Sequence, residues 1–146
     1  MAKLLKCAII GYGYMGEIRR QTIEDHPSLD LAWVCDPKTI NISAAEGLTI
    51  TRDFVQVLTS DIDVVFVCTP NNLIPKFAIE WLNKGKHVFC EKPPGRNVKD
   101  IIELRKAEAQ NPGMKLMFGF NHRYHPGIMR GKALVDAGRF GKVLSL

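Results

Sequence analysis

The sequence has no long hydrophobic run, few cysteines and no strong excess of charge of either sign. No apolar stretch approaches the roughly 18 residues that a membrane-spanning helix requires. The first three residues lead straight into an apolar run at 4–10, which leaves no room for a signal peptide. We therefore expect a cytoplasmic domain that makes no membrane contact.

The 4 cysteines and 4 histidines form no recognisable metal site. No two cysteines make a C-x-x-C pair, and the histidines show no ligand spacing with carboxylates or cysteines. We interpret the cysteines as small buried hydrophobic residues and expect no metal. They are Cys7, Cys35, Cys68 and Cys90.

Charge and composition indicate one ordinary folded domain. The chain has 146 residues, of which 46% are hydrophobic and 24% charged, which is enough to bury a sizeable core. The excess of 20 Lys and Arg over 15 Asp and Glu is scattered, so no nucleic-acid-binding stripe is expected. The net charge of +5 favours an anionic cofactor or a phosphorylated substrate.

A glycine motif follows the apolar run and is itself followed by a predicted helix at 15–25. Its residues are Gly11, Tyr12, Gly13, Tyr14, Met15 and Gly16, which read G-x-G-x-x-G. Gly11 suits a tight turn, Gly13 lets the backbone approach phosphate oxygens, and Gly16 lets the helix pack close to the strand. Because a helix N-terminus attracts anions, this arrangement predicts a dinucleotide pyrophosphate site.

A carboxylate stands where that motif requires one. Leu29–Cys35 is a predicted strand that ends at Asp36, 20 residues beyond Gly16. Asp36 would accept hydrogen bonds from the adenosine ribose and repel a 2′-phosphate, which favours NAD over NADP. Lys38 could pair with such a phosphate, so NADP is the alternative cofactor. A second interpretation is that Asp36 and Pro37 only form a turn.

Apolar strands alternate with periodic helices along the rest of the chain, which predicts an α/β fold with a doubly wound parallel sheet. Further strands are predicted at 63–68, 87–90 and 115–118, and helices at 40–46, 53–58, 74–83, 98–109 and 126–137. In such a sheet, ligands bind beyond the carboxyl ends of the strands.

Small and polar residues follow every predicted strand, so we expect them to line one cofactor site. The expected cofactor-binding residues are Gly11, Tyr12, Gly13, Tyr14, Met15, Gly16, Asp36, Lys38, Cys68, Thr69, Pro70, Asn71, Asn72, Glu91, Lys92, Asn121 and Arg123. Two alternatives remain open. Thr69–Asn72 could be a plain turn, and Glu91-Lys92 could be a solvated loop.

Four segments together resemble the glucose-fructose oxidoreductase, inositol dehydrogenase and rhizopine-catabolism family. They are Gly11–Gly16, Thr69–Asn71, Gly85–Pro93 with its E-K-P at Glu91–Pro93, and Gly119–Pro126. The resemblance covers essentially all 146 residues. It implies a Rossmann-type N-terminal domain that binds NAD or NADP, in an oxidoreductase acting on a sugar, nucleotide sugar or cyclitol.

By position, Lys92 is similar to the family's lysine that contacts the substrate hydroxyl and the nicotinamide ribose. The resemblance thus implies a catalytic role for Lys92 and places Arg123 in the cofactor and substrate cleft. The chemistry agrees, because hydride leaves a carbinol carbon only as its hydroxyl proton departs. A donor held at that oxygen stabilises the developing charge.

The resemblance also implies a domain division. Residues 1–122 would be the Rossmann domain, and 123–146 a connecting helix and the first strand of a C-terminal α/β domain that is absent here. We expect a homo-oligomer or a partner chain that supplies the missing domain, and weak activity from the chain alone. A non-catalytic dinucleotide sensor and a methyltransferase-like nucleotide binder are the alternatives. Lys92 favours the oxidoreductase, since a sensor needs no lysine there.

Overall fold

A computed structural model describes residues 4–38, 42, 46–142 and 144 of the chain. Its centre is a parallel sheet of six strands in the order β3-β2-β1-β4-β5-β6. The strands are β1 (Leu5–Ile10), β2 (Leu29–Cys35), β3 (Thr49–Thr51), β4 (Val64–Val67), β5 (His87–Cys90) and β6 (Leu116–Phe118). This order, which reverses between β1 and β4, is the doubly wound arrangement that binds dinucleotides at the reversal point.

In the described residues, helices connect β1 to β2 and each pair of consecutive strands from β3 onward, and a further helix follows β6. They are α1 (Tyr14–Glu24), α2 (Phe54–Leu58), α3 (Ile74–Asn83), α4 (Val98–Gln110) and α5 (Pro126–Asp136), with one 3₁₀ turn at Asn121–Tyr124. The chemistry of the caps explains two of the helix starts. The Asp53 side chain accepts from the Val55 N–H and the Asn97 side chain from the Asp100 N–H, as expected for N-cap residues.

The side chains of β1 alternate between the two faces of the sheet and so contribute to two separate layers of the core. Cys7 and Ile9 pack with Ile23 of α1 on one face of the sheet. Ala8 and Ile10 face the other layer, which contains Trp81 of α3, Leu104 of α4 and Val57 of α2. Because successive side chains of a strand point to opposite faces, a strand covered on both sides is apolar throughout.

The strand ends lie side by side, and this register positions the site. Ile10 pairs with Cys35 of β2 and with Val67 of β4. Val67 in turn pairs with Cys90, and Cys90 with Phe118. The residues that follow these strands therefore form one row along the carboxyl edge of the sheet.

The structure confirms the predicted doubly wound sheet and adds one strand. The sequence did not predict β3, whose three residues are too few to show an alternating pattern. The predicted helix at 40–46 and the predicted strand at the C-terminus lie largely outside the described residues. No helix in the described part of the chain is long and apolar enough to cross a membrane.

Candidate functional site

The turn between β1 and α1 has the geometry that the glycine motif predicts. Gly11 has a φ of +90°, and a Cβ there would lie 2.9 Å from the Cys68 carbonyl group. A Cβ on Gly16 would lie 2.5 Å from the Gly11 carbonyl oxygen. A Cβ on Gly13, by contrast, would meet nothing within 4 Å. The fold itself excludes side chains at Gly11 and Gly16, whereas Gly13 borders open space.

Asp36 lies against this turn. Its Oδ2 accepts a hydrogen bond of 2.7 Å from the Tyr12 N–H, and its Oδ1 accepts one of 2.8 Å from the Lys38 N–H. The carboxylate is thus held in place by backbone donors and is half-buried. Each carboxylate oxygen can accept further hydrogen bonds, so a ribose hydroxyl can still be bound.

The Tyr12 side chain is partly buried against the core cluster that contains Ile23 of α1. Its hydroxyl donates to the Glu17 carboxylate and accepts from Arg20 Nη1 at 3.4 Å. Partial burial, followed by the hydrogen bond to Glu17, raises the pKa of the Tyr12 hydroxyl. The Tyr14 side chain, in contrast to that of Tyr12, is 82% exposed at the start of α1.

The turn after β4 approaches the glycine motif from the other side. The Cys68 N–H donates to the Ile10 carbonyl at 2.8 Å, and the Leu73 N–H to the Pro70 carbonyl at 2.9 Å. In the described part of the chain, the Thr69 Oγ1 is buried without a hydrogen-bond partner. A buried hydroxyl without a partner is costly, which makes Thr69 a candidate contact for a bound molecule.

Lys92 and the loop after β6 surround an open cavity of about 570 Å³. Lys92, Asn121 and Arg123 were all expected at the site, and the structure brings the three together here. The remaining lining residues are Gly119, Phe120 and His122. Strand order places Lys92, which follows β5, three strand spacings, roughly 14 Å, from Asp36, which follows β2. The expected residues therefore follow β2, β1, β4, β5 and β6 in one row, with Asp36 toward one end and Lys92, Asn121 and Arg123 toward the other.

Glu91 is buried and paired, although the sequence suggested a loop residue or a cofactor ligand. It is 5% exposed, and Arg19 Nε donates to its Oε1 at 2.6 Å. Cofactor contact by Glu91 stays a prediction, but its carboxylate is occupied by an internal partner.

Sequence reasoning missed Arg19. Its position in the sequence could have indicated that Arg19 is buried, because Gly16, Arg19 and Ile23 share one face of α1 that packs on the sheet. Both Gly16 and Ile23 are buried. A charged residue on such a face requires a buried partner of opposite charge.

Two cysteines lie in this region, and neither is a reactive thiol. Burial raises the pKa of the Cys68 thiol to about 12 and also raises the pKa of Cys90. Thiolate is the reactive form, so both side chains are inert near neutral pH. Among the described residues, no three His, Cys, Asp or Glu side chains are grouped to hold a metal ion.

The residues present fit a dinucleotide in three respects. Gly13 leaves open space at the start of α1, where free N–H groups favour phosphate. Asp36 lies beside that turn with acceptor capacity, and the Thr69 hydroxyl has no internal partner. Together they provide a phosphate cradle, a ribose acceptor and a buried polar group along one edge.

The chain is similar in sequence and fold to inositol dehydrogenases. Inositol 2-dehydrogenase of Rhizobium meliloti is 29% identical over 143 residues, covering 95% of this chain and 43% of the relative. Myo-inositol 2-dehydrogenase of Lactobacillus plantarum has a TM-score of 0.88 at 30% identity, covering 97% of this chain and 43% of that structure.

Scyllo-inositol dehydrogenase of Lactobacillus casei, solved with bound NAD(H) and scyllo-inositol, has a TM-score of 0.84 at 29% identity. That match covers 96% of this chain and 43% of the other. The chain thus spans less than half the length of these relatives. Residues 5–120 match the model of the oxidoreductase family with an NAD-binding Rossmann fold, and the chain belongs to that family.

Proposed function

We propose that this chain is the cofactor-binding part of an NAD-dependent dehydrogenase that acts on a cyclitol or sugar. One observation carries the proposal. The glycine turn and Asp36 follow the neighbouring strands β1 and β2, and the cavity with Lys92 follows β5 and β6 on the other side of the reversal point. A dinucleotide bound along the edge would have its adenosine half at Asp36 and its nicotinamide half at Lys92.

Lys92 is the proposed catalytic residue. Bound NAD supplies the acceptor for a hydride from the substrate carbon. The exposed Lys92 side chain lines the cavity, so its amine can hydrogen-bond the substrate oxygen and relay the hydroxyl proton to solvent as the hydride leaves. In the reverse direction the same amine donates to the carbonyl oxygen as negative charge develops there.

The loop after β6 supplies the other polar groups of the cavity. The Asn121 amide and the Arg123 guanidinium are exposed and offer donors that suit hydroxyl groups. Phe120 adds an apolar surface that is 46% exposed. A polyol, with hydroxyl groups around an apolar ring, matches this combination, and scyllo-inositol is bound in the Lactobacillus casei structure.

Calorimetric titration with NADH and NADPH tests the cofactor half of the proposal. We expect NADH to bind at least about tenfold more tightly than NADPH, because the Asp36 carboxylate would repel a 2′-phosphate. Asp36→Ser should weaken NADH binding and narrow this difference. Asp25→Ser, at the far end of α1, is the matched control and should leave both affinities unchanged. Tighter binding of NADPH, or binding of neither cofactor, would contradict the proposal.

A further inference from the structure

A buried ion pair lies directly beside the proposed catalytic lysine. Arg19 Nε and Nη2 lie 2.6 and 2.5 Å from the same oxygen, Glu91 Oε1. Their side chains are only 11% and 7% exposed. The guanidinium also stacks over the Phe89 ring, 4.8 Å from its centroid. Both charged groups are therefore held by contacts within the protein.

This pair connects the elements that carry the site. Arg19 belongs to α1, the helix that begins at the glycine turn, and Glu91 directly precedes Lys92. On its other side the Glu91 carboxylate borders Gly119, where a Cβ would lie 3.0 Å from Oε2. Gly119 and Lys92 both line the cavity. One carboxylate thus contacts the cofactor helix and the loop after β6, and is covalently adjacent to Lys92.

Stability alone is a weak explanation for the pair. Two charges lose their hydration when they are buried, and apolar residues of similar volume often give equal or greater stability. An ion pair differs from an apolar contact in direction, because the hydrogen bond from Arg19 Nε to Glu91 Oε1 is strong only when it is nearly linear. Orientation is what Lys92 needs, since proton transfer requires close hydrogen-bond geometry.

We propose that Arg19 and Glu91 are positioning residues that hold Lys92 and the loop after β6 against the nicotinamide half of the cofactor. The inference rests on the proposed function, because it assumes that NAD lies along this edge. Neither residue touches the reacting atoms. They act through the backbone of Glu91-Lys92 and through Gly119.

Protection of Lys92 from acylation tests this arrangement without requiring turnover. The chain is treated with an acetylating reagent with and without NADH, and acetylation at each lysine is quantified by mass spectrometry. NADH is kept at least about tenfold above the Kd of each variant, so that occupancy is matched. Lys84, exposed at the end of α3, is the internal control.

In the unmodified chain, we expect NADH to slow acetylation of Lys92 at least about fivefold and to leave Lys84 unchanged, because a bound ligand covers the side chains that line its site. In Glu91→Gln and Arg19→Met, protection of Lys92 should fall below about twofold at equal occupancy. Arg19→Lys retains the positive charge, so NADH should again protect Lys92 in part from acetylation.

A single substitution leaves one buried charge without its partner and can unfold the chain, so the double variant Arg19→Met/Glu91→Leu is included. Full protection of Lys92 in this folded double variant would overturn the positioning role while leaving the proposed function intact. Failure of the unmodified chain to bind NADH would instead overturn the proposed function, and this inference with it.

Discussion

Gly13 differs from the other two motif glycines in what surrounds it. Side chains at Gly11 and Gly16 would collide with neighbouring backbone, whereas a Cβ at Gly13 would meet nothing within 4 Å. The fold therefore requires glycine at positions 11 and 16, whereas the open space at Gly13 is available to the proposed cofactor. This separation allows a test in which stability and cofactor affinity respond to different glycines.

We expect Gly13→Ala to lower the free energy of unfolding by less than about 1 kcal/mol, because alanine is a poorer N-cap of α1 than glycine, and to weaken NADH binding at least about tenfold. Gly16→Ala should lower the free energy of unfolding by about 1–3 kcal/mol, because its Cβ would overlap the Gly11 carbonyl oxygen. Urea unfolding and calorimetric titration measure the two effects. Normal NADH affinity in Gly13→Ala would contradict a pyrophosphate site at this turn.

Substitution of Lys92 tests whether this residue takes part in catalysis. In an active enzyme that contains this chain, we expect Lys92→Met to lower kcat/KM by about 10²- to 10⁴-fold, the usual contribution of a positioned acid or base. NADH affinity should change far less. Steady-state kinetics with a cyclitol, alongside a cofactor titration, separates the two effects.

Lys84→Met provides the control for removing a lysine charge at the opposite edge of the sheet. A Lys92→Met variant with near-normal turnover would leave Glu91-Lys92 as a solvated loop and would favour a non-catalytic binding module.

At the scale of elements, the start of α4 depends on a single side chain. Asn97 is the N-cap of α4, and its Oδ1 accepts from the Asp100 N–H at 3.1 Å. The Asp100 carboxylate in turn accepts from the Arg96 N–H at 2.8 Å. Two backbone donors at the start of α4 are thus satisfied by neighbouring side chains.

Asn97→Ala should lower the free energy of unfolding by about 1 kcal/mol, because the Asp100 N–H loses its acceptor. Asn97→Gly should cost only about 0.3 kcal/mol, since glycine is itself an acceptable N-cap. Chemical denaturation of the three proteins measures the difference. Equal stability of the alanine variant and the unmodified chain would show that water replaces the cap.

Helices and strands could be predicted from the sequence where the segment was long enough to show a repeating pattern of apolar residues. The sequence located α3 at its observed bounds and α4 to within one residue. It missed β3, because Thr49–Thr51 has only one apolar residue and is defined by its pairing with β2. An edge strand this short is specified by its neighbour rather than by its own residues.

For the whole molecule, the buried thiols predict how stability depends on pH. Burial raises the pKa of Cys35 from 9.0 to about 11 and the pKa of Cys7 from 9.0 to about 12. Above pH 9 the unfolded chain releases these protons while the folded chain retains them. Since the folded state then binds more protons, the free energy of unfolding falls as pH rises.

We expect this contribution to be complete below pH 9.0 and to be lost progressively as pH rises toward about 11 to 12. Urea unfolding at a series of pH values from 8 to 11 measures the slope. Cys35→Ala removes one of the titrating groups and should make the decline shallower. An unchanged slope in that variant would show that the Cys35 thiol does not contribute.

The sequence by itself determined the doubly wound sheet and the row of residues at its carboxyl edge. Strand periodicity, glycine spacing and helix caps are local features, so the residues that follow each strand could be named without a structure. The tertiary structure decided which of them meet. Arg19 and Glu91 are 72 residues apart, and Tyr12 and Asp36 are 24 apart. Such contacts depend on strand order and helix rotation, which no local pattern contains.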